Sequence, residues 1–288
     1  MDPAERATAV RALHSIRRGA YAIAPPEDAD SRHRLLLRAV LRQTGGQCAA
    51  SHLSAALFHD LPVPGEALDN VHITTTTASS RPGVRRRVHT HTTSQQAMAV
   101  TEIDGLPITD VATTVLDCMR VLPFVDAVAL LDAALNRNLV FHDDIVRQCF
   151  EAGGMAGIAT ARRVVKMADA GAESVGETRT RLILVHAGFA VDTQVELHDS
   201  RGRMVARVDL KLRDAPVVVE FDGRAKYGLQ GAPESAHWQE KLRNDKIGNL
   251  GFERVRVWWN RLADPASIVA DVEAARKRAL SRPGRESA

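Results

Sequence analysis

The sequence predicts an α/β chain, α+β overall, divided into two domains. Three observations lead there. The 288 residues exceed a typical single-domain core. Both helical and β-rich runs recur along the chain, and a small, flexible stretch, Asp169-Ala170-Gly171-Ala172, separates two differently ordered sets of them. The expected domains are residues 1–170 and 173–280, the second with the element order αβββαβα.

In the first domain, residues 4–18 have helical composition. The following Gly19-Ala20-Tyr21-Ala22-Ile23-Ala24, closed by Pro25-Pro26, reads as a short strand, so that this segment looks like a helix entering a wing. Ser31 can cap a helix to about Gln43 with Leu35, Leu36, Ala39 and Val40 on its apolar side, and Gly45-Gly46 ends it. A second helix is expected over 49–58. Val71–Thr76 and Val88–His91 are β-rich and are expected to pair across the polar turn Ser79–Gly83. After the turn at Asp104-Gly105-Leu106-Pro107, Thr109 can cap a helix to Leu122, and Pro123 begins another through Leu135. Helices near 142–150 and 155–169 complete the domain.

In the second domain a helix from Ser174 to Ala187, ended by Gly188, is followed by strands over 190–197, 204–212 and 216–222. A helix from Pro233 to Leu250, a strand Arg254–Trp258 and a helix from Pro265 to Leu280 come next, with 282–288 as a frayed tail.

The composition, 45% hydrophobic and 25% charged, is that of a soluble globular protein. Net charge is only +3, and the excess lies beyond residue 172, where 20 Lys and Arg face 17 Asp and Glu. That balance permits polyanion binding without requiring it. Cys48, Cys118 and Cys149 are too scattered for a disulfide framework or a zinc ribbon. Neither a leader-type apolar region at residues 1–24 nor an apolar run long enough for a bilayer is visible, so a cytoplasmic protein with no membrane partner is expected.

The chemistry-bearing candidates are acids of the second domain: Glu177 on its first helix, Asp209 late on the second strand, and Glu220 and Asp222 near the end of the third. Glu220 and Asp222, two apart, share a strand face while Val217, Val219 and Phe221 take the other. Carboxylates gathered there repel one another unless a cation neutralises them. Mg²⁺, or Mn²⁺, suits oxygen ligands and can activate a water against a phosphodiester. Taken singly, each acid is also explained as a surface group paired with Arg179, Arg207 or Arg224.

Glu177, Val208-Asp209 and Val219-Glu220-Phe221-Asp222-Gly223, in the order αβββαβα, resemble the PD-(D/E)XK nuclease superfamily, and within it domains related to very-short-patch-repair endonucleases. The latter likeness extends to Arg243 with Asp245-Lys246 and to Gly251-Phe252-Glu253-Arg254-Val255-Arg256-Val257-Trp258. The resemblance covers about a hundred residues and implies a restriction-endonuclease-like core. It implies Glu177, Asp209 and Glu220 as metal ligands and Asp209, Glu220, Asp222 and a lysine as catalytic groups. Asp222 occupies the position where the superfamily carries its lysine; Lys226 is the expected substitute, with Lys241 the other option.

Arg224, Lys241, Arg243, Lys246 and Trp259 are the expected DNA contacts in this domain, joined by the basic run Arg85-Arg86-Arg87 in the first. His89 and His91 share a strand face at a metal-compatible spacing, but no third ligand is evident in the sequence. The amino-terminal half resembles AbiEi-type antitoxins and regulators through Arg17–Ala22, Ser51–Leu57, Asp104–Thr109 and Thr113–Asp117, which implies a winged-helix region, shortened here, and a toxin or other protein partner. The function expected is Mg²⁺-dependent cleavage of DNA in a repair, phage-defence or toxin–antitoxin setting. The alternatives are a non-catalytic DNA-binding regulator or antitoxin, and a protein-interaction module.

Overall fold

A computed structural model describes residues 13–45, 48–76, 82–93, 98–223 and 234–282, with the backbone alone for 234–241. The chain is mixed α/β and divides into two compact units, Met1–Ala168 and Asp169–Ala288.

The first unit begins with an antiparallel hairpin, β1 (His14–Arg17) and β2 (Ala20–Ala22), turned at Gly19 with φ +79°. Residues 14–17 are therefore strand, not the end of a helix. Gly19 adopts the left-handed turn conformation that side chains disfavour, and Ile16 packs onto the core. The rest of the expected first helix lies outside the described residues.

Helix α1 (Ala29–Gln43) is capped by Asp28, whose Oδ1 accepts from the Ser31 amide at 2.7 Å and also from the Ser31 hydroxyl. The cap sits three residues earlier than Ser31 suggested, because a carboxylate at N-cap reaches the N3 amide. The buried stripe is His33, Leu36, Leu37, Val40 and Leu41, a clean i, i+3, i+4 repeat that leaves Leu35 and Ala39 half-buried.

A six-stranded mixed sheet follows, in the order β5-β6-β4-β3-β8-β7. Its strands are β3 (Cys48–Ala50), β4 (Val71–Thr75), β5 (Gly83–Arg85), β6 (Val88–Thr92), β7 (Val100–Ile103) and β8 (Leu106–Thr109). Residues 49 and 50, read as helix from the sequence, lie in β3 and pair with β4 and β8, so α2 is only His52–Phe58. Val71–Thr75 and Val88–Thr92 do pair, but in parallel, since β5 supplies the hairpin partner of β6. Helices α3 (Val111–Val121), α4 (Phe124–Asn136), α5 (His142–Glu151) and α6 (Ile158–Met167) complete the unit. Asp110, one residue past Thr109, caps α3.

The second unit runs α7 (Val175–His186), β9 (Val191–His198), β10 (Met204–Leu212), β11 (Val217–Asp222), α8 (Glu234–Asn249), β12 (Glu253–Trp258) and α9 (Pro265–Ser281). Its sheet order is β12-β11-β10-β9, antiparallel except for the β11–β12 pair. Val217 and Val219 pack with Leu184 of α7 and Ile268 and Val272 of α9, whereas Val218 packs with Ile247 of α8. The sheet is thus covered on both faces, which is why β11 is almost continuously apolar. Gly176 lets α7 approach β11: a Cβ there would lie 2.0 Å from the Phe221 ring.

Strand β10 has a register shift against β9 between Met204 and Ala206, and it changes face again further along. Val208 packs with Val218 and Ile247, while Leu210 packs with Val219 and Val257. The alternation of a regular strand is interrupted between them, at Asp209, opposite Gln194 with φ +50°.

Candidate functional site

The acids predicted from the sequence lie around this interruption. Asp209 is half-buried, and its Oδ2 accepts from the Phe221 amide of β11 at 2.8 Å, in place of regular ladder pairing at that point. Burial pushes its carboxyl up to about 6, with the nearby Glu177 and Glu220 adding to the rise; the Phe221 N–H and Arg243 oppose it.

Glu220 is buried, and both of its oxygens are taken. Oε1 lies 2.6 Å from Arg243 Nη2 and Oε2 lies 2.9 Å from Arg254 Nη1. Arg243 also donates to the Arg207 carbonyl at 2.7 Å, and Arg254 to Asn244 Oδ1. Hydrogen-bonded arginine partners are what allow a carboxylate to stay buried.

Glu177 belongs to the start of α7. Ser174 Oγ accepts from the Glu177 amide at 3.2 Å and donates to Oε1 at 2.7 Å, while Oε2 accepts from the Glu173 amide at 2.9 Å and from Gln194 Nε2 at 3.0 Å. This is a variant of the capping box, Glu177 returning to the Glu173 amide and the Ser174 hydroxyl in place of the Ser174 amide, and the Ser174-x-x-Glu177 spacing stands in the sequence. Asp222, half-buried, lies 3.7 Å from Arg256 Nη1.

The fold therefore brings Glu177 and Glu220 within electrostatic reach of Asp209. It does not join them into one compact ligand group: among the described residues, the trio whose ligand atoms all fall within 4.8 Å of one another is His52, His72 and His91. Arg243 is turned inward onto Glu220, and Lys246 is exposed on α8. Trp259, expected as a DNA contact, is half-buried and meets Phe221 edge-on at 5.1 Å. Lys226, Arg224 and the Lys241 side chain lie outside the described residues. Arg85 ends β5, and Arg86 and Arg87, with φ of +52° and +65°, form the tight turn into β6, so the basic run is a hairpin tip rather than a strand. All three are exposed, and Arg87 Nε donates to the Asp69 carbonyl.

Sequence reasoning missed a second polar centre, in the first unit. The parallel β4–β6 register sets His72 opposite His89 and Thr74 opposite His91 on one sheet face, and α2 begins with His52 against them. His72 Nδ1 and His91 Nε2 are 3.0 Å apart, and the His52 and His91 rings stack at 3.6 Å. Burial, and then the neighbouring imidazoles, push His72 down to about 3 and His91 to about 4. The sequence carried a signal only for His89 and His91, because strand alternation is local and the pairing that adds His72 is not.

No family model matches the chain, and no solved structure matches it significantly. Over 179 residues it is 28% identical to two uncharacterized proteins of Mycobacterium tuberculosis, from strains CDC 1551 / Oshkosh and H37Rv. The match covers 61% of this chain and 64% of each relative, so the chain spans less than two thirds of their length.

Proposed function

We propose that the second unit is a nuclease-type domain that engages DNA and hydrolyses phosphodiester bonds with Mg²⁺ or Mn²⁺, Asp209 being the residue on which the activity turns. The observation that carries this reading is the state of Asp209: a half-buried carboxyl beside two further acids, with its proton affinity raised by burial and by those neighbours. A hard divalent cation would also relieve that situation, at a pH where the proton is lost.

The fit to such an ion is good at Asp209, which keeps Oδ1 beyond its bond to the Phe221 amide, and at Glu177, whose carboxylate retains acceptor capacity. Glu220 fits only when Arg243 leaves Oε1, and Arg243 is then free for a backbone phosphate. When bound, the ion supplies charge stabilisation at the phosphate and an activated water. In this proposal Asp222 assists the metal ligands and Lys226 orients the water, while Arg224, Lys241, Lys246 and Trp259 are the DNA contacts. The setting we propose is cytoplasmic; no described helix is long and apolar enough to cross a membrane.

The test is incubation of the full chain with supercoiled and linear DNA plus Mg²⁺ or Mn²⁺, wild type beside Asp209→Asn. Nicking that falls by about a hundredfold or more in the variant supports the reading. No nicking by the wild type, or equal nicking by both, removes it.

One observation favours a second reading, in which the fold grips DNA as a regulator or antitoxin without cutting: Glu220 is already neutralised by Arg243 and Arg254. That protein would bind DNA with a steep salt dependence, indifferent to Asp209→Asn, and leave it intact.

A further inference from the structure

The histidine centre of the first unit has the composition of a metal site. Three imidazoles come from three separate elements, α2, β4 and β6, and offer ring nitrogens all within 4.8 Å of one another. Zn²⁺ binds imidazole at about 2.0–2.1 Å, which sets tetrahedral ligand nitrogens roughly 3.3 Å apart. The His72 Nδ1 to His91 Nε2 separation of 3.0 Å is already near that edge length. The His52 and His91 rings lie nearly parallel at 3.6 Å, so one of them must turn for both in-plane lone pairs to meet at a single ion.

His52 shows the supporting arrangement of a metal-bound histidine. Its Nδ1 lies 3.0 Å from Ser51 Oγ and 3.6 Å from Asp117 Oδ2, which leaves Nε2 for the other two rings. A carboxylate or hydroxyl behind the non-ligating nitrogen fixes tautomer and ring orientation. Asp117 is itself held by Arg120 at 2.9 Å. His72 is anchored through its backbone: its amide donates to Ser54 Oγ and its carbonyl accepts from the Ser51 amide. His52 keeps φ at +49° although it is 4% exposed and is not glycine, a conformation that persists only where its surroundings impose it.

A second observation concerns the space beside these rings. His52, His89 and His91 border a cavity of about 590 Å³ whose wall also includes Thr74, Asp117, Arg120 and Gln148. Among the described residues, Thr74 Oγ1 and Gln148 Oε1 are buried without a hydrogen-bond partner, and Thr74 is 5% exposed. Buried polar atoms of this kind mark a place built for a polar occupant.

We infer that His52, His72 and His91 bind a transition-metal ion, with Zn²⁺ the best chemical match, and that its remaining coordination position faces this cavity and takes water or a small oxygen ligand. Three neutral nitrogen donors with a free position suit Zn²⁺ and disfavour Mg²⁺, which seeks oxygen. The site is independent of the carboxylates of the second unit and of the function proposed for them.

The test uses the full chain, stripped with a chelator and titrated with Zn²⁺ against a competing chromophoric chelator. One Zn²⁺ per chain is expected, with His91→Gln weakening it by at least about a hundredfold and Asp117→Asn by about 10–100-fold. His89→Gln, outside the trio, and Asp209→Asn, in the other unit, are expected to leave affinity within about threefold, the ordinary spread of such contributions. X-ray absorption of the zinc-loaded wild type needs no variant to fold and should give a nitrogen/oxygen shell with imidazole outer scattering. No retained zinc, a sulfur shell, a shell without imidazole, or equal binding by wild type and His91→Gln each overturns the assignment. Loss of zinc in Asp209→Asn would move the site to the carboxylates and overturn it equally.

Discussion

The two units each bury a cluster of ionisable groups on a sheet face, and they neutralise it in opposite ways. In the first, His52, His72 and His91 stay uncharged, because burial and mutual repulsion push their imidazoles down. In the second, Glu220 stays charged between Arg243 and Arg254, and Asp209 is left with too little positive charge and a carboxyl near 6. An imidazole can shed its charge at neutral pH and still coordinate, whereas a carboxylate must borrow a cation from somewhere. Each unit is sensitive accordingly: the first to acid and to transition metals, the second to loss of arginine or divalent cation.

Acid is the sharpest way to break that contrast. The folded His72 and His91 titrate near 3 and 4, below the unfolded value of about 6.5, so the unfolded chain binds more protons in between. Stability of the metal-free first unit is therefore full above pH 6.5 and is lost as pH falls through 6.5 toward 3, by roughly 3 kcal/mol or more. Denaturant unfolding followed across that range should show it. A flat profile would mean that the cluster opens to solvent.

Glu220→Gln comes next. It leaves Arg243 and Arg254, 35% and 20% exposed, facing a neutral amide. A cost of about 2–3 kcal/mol is expected, below the full penalty of an enclosed pair because water reaches the guanidinium groups. Urea midpoints of the variant and the wild type measure it, and an unchanged midpoint would show the clamp to be incidental.

Asp209→Asn should act in the other direction. The folded carboxyl near 6 lies above its unfolded value of about 3.9, so the group's contribution is favourable at low pH, falls between about 4 and 6, and stays unfavourable above. The amide keeps an oxygen for the Phe221 N–H and removes the charge. A gain of roughly 1–2 kcal/mol at pH 7 that vanishes at pH 4 is expected in thermal unfolding. The same substitution that stabilises the fold is the one expected to abolish cleavage, and a variant neither stabilised nor inactive would leave Asp209 an ordinary surface acid.

The smallest effect belongs to the arginine run. Arg86 occupies a left-handed turn position in a hairpin that favours Asn there. Arg86→Asn should stabilise the first unit by about 0.5 kcal/mol. If its DNA affinity falls steeply, the hairpin tip is a contact after all; differential scanning calorimetry and a salt-dependent binding titration read the two effects separately.

Much of the second unit was readable beforehand, since its order αβββαβα rests on local signals: a capping Ser174, Gly188 and Gly251 after helices, the run Val217–Asp222. Boundaries failed where a competing local partner won, as when Asp28 and Asp110 capped helices in place of Ser31 and Thr109. Residues 14–17 and 49–50 looked helical because basic and alanine-rich stretches have that composition, and became strands because β2, β4 and β8 lay ready to pair with them.

By itself, then, the sequence determined the alternation of helix and strand, the acids on β10 and β11, the start of a helix at Ser174, and the shared face of His89 and His91. All of these follow from periodicities and spacings within a few residues. Only the tertiary structure decided that Gln194 reaches Glu177, that Arg243 and Arg254 claim Glu220, and that His52 and His72 meet His91. Those outcomes depend on strand register and helix packing between residues far apart in the chain, and no local spacing encodes which distant side chain a buried charge or ring nitrogen will find.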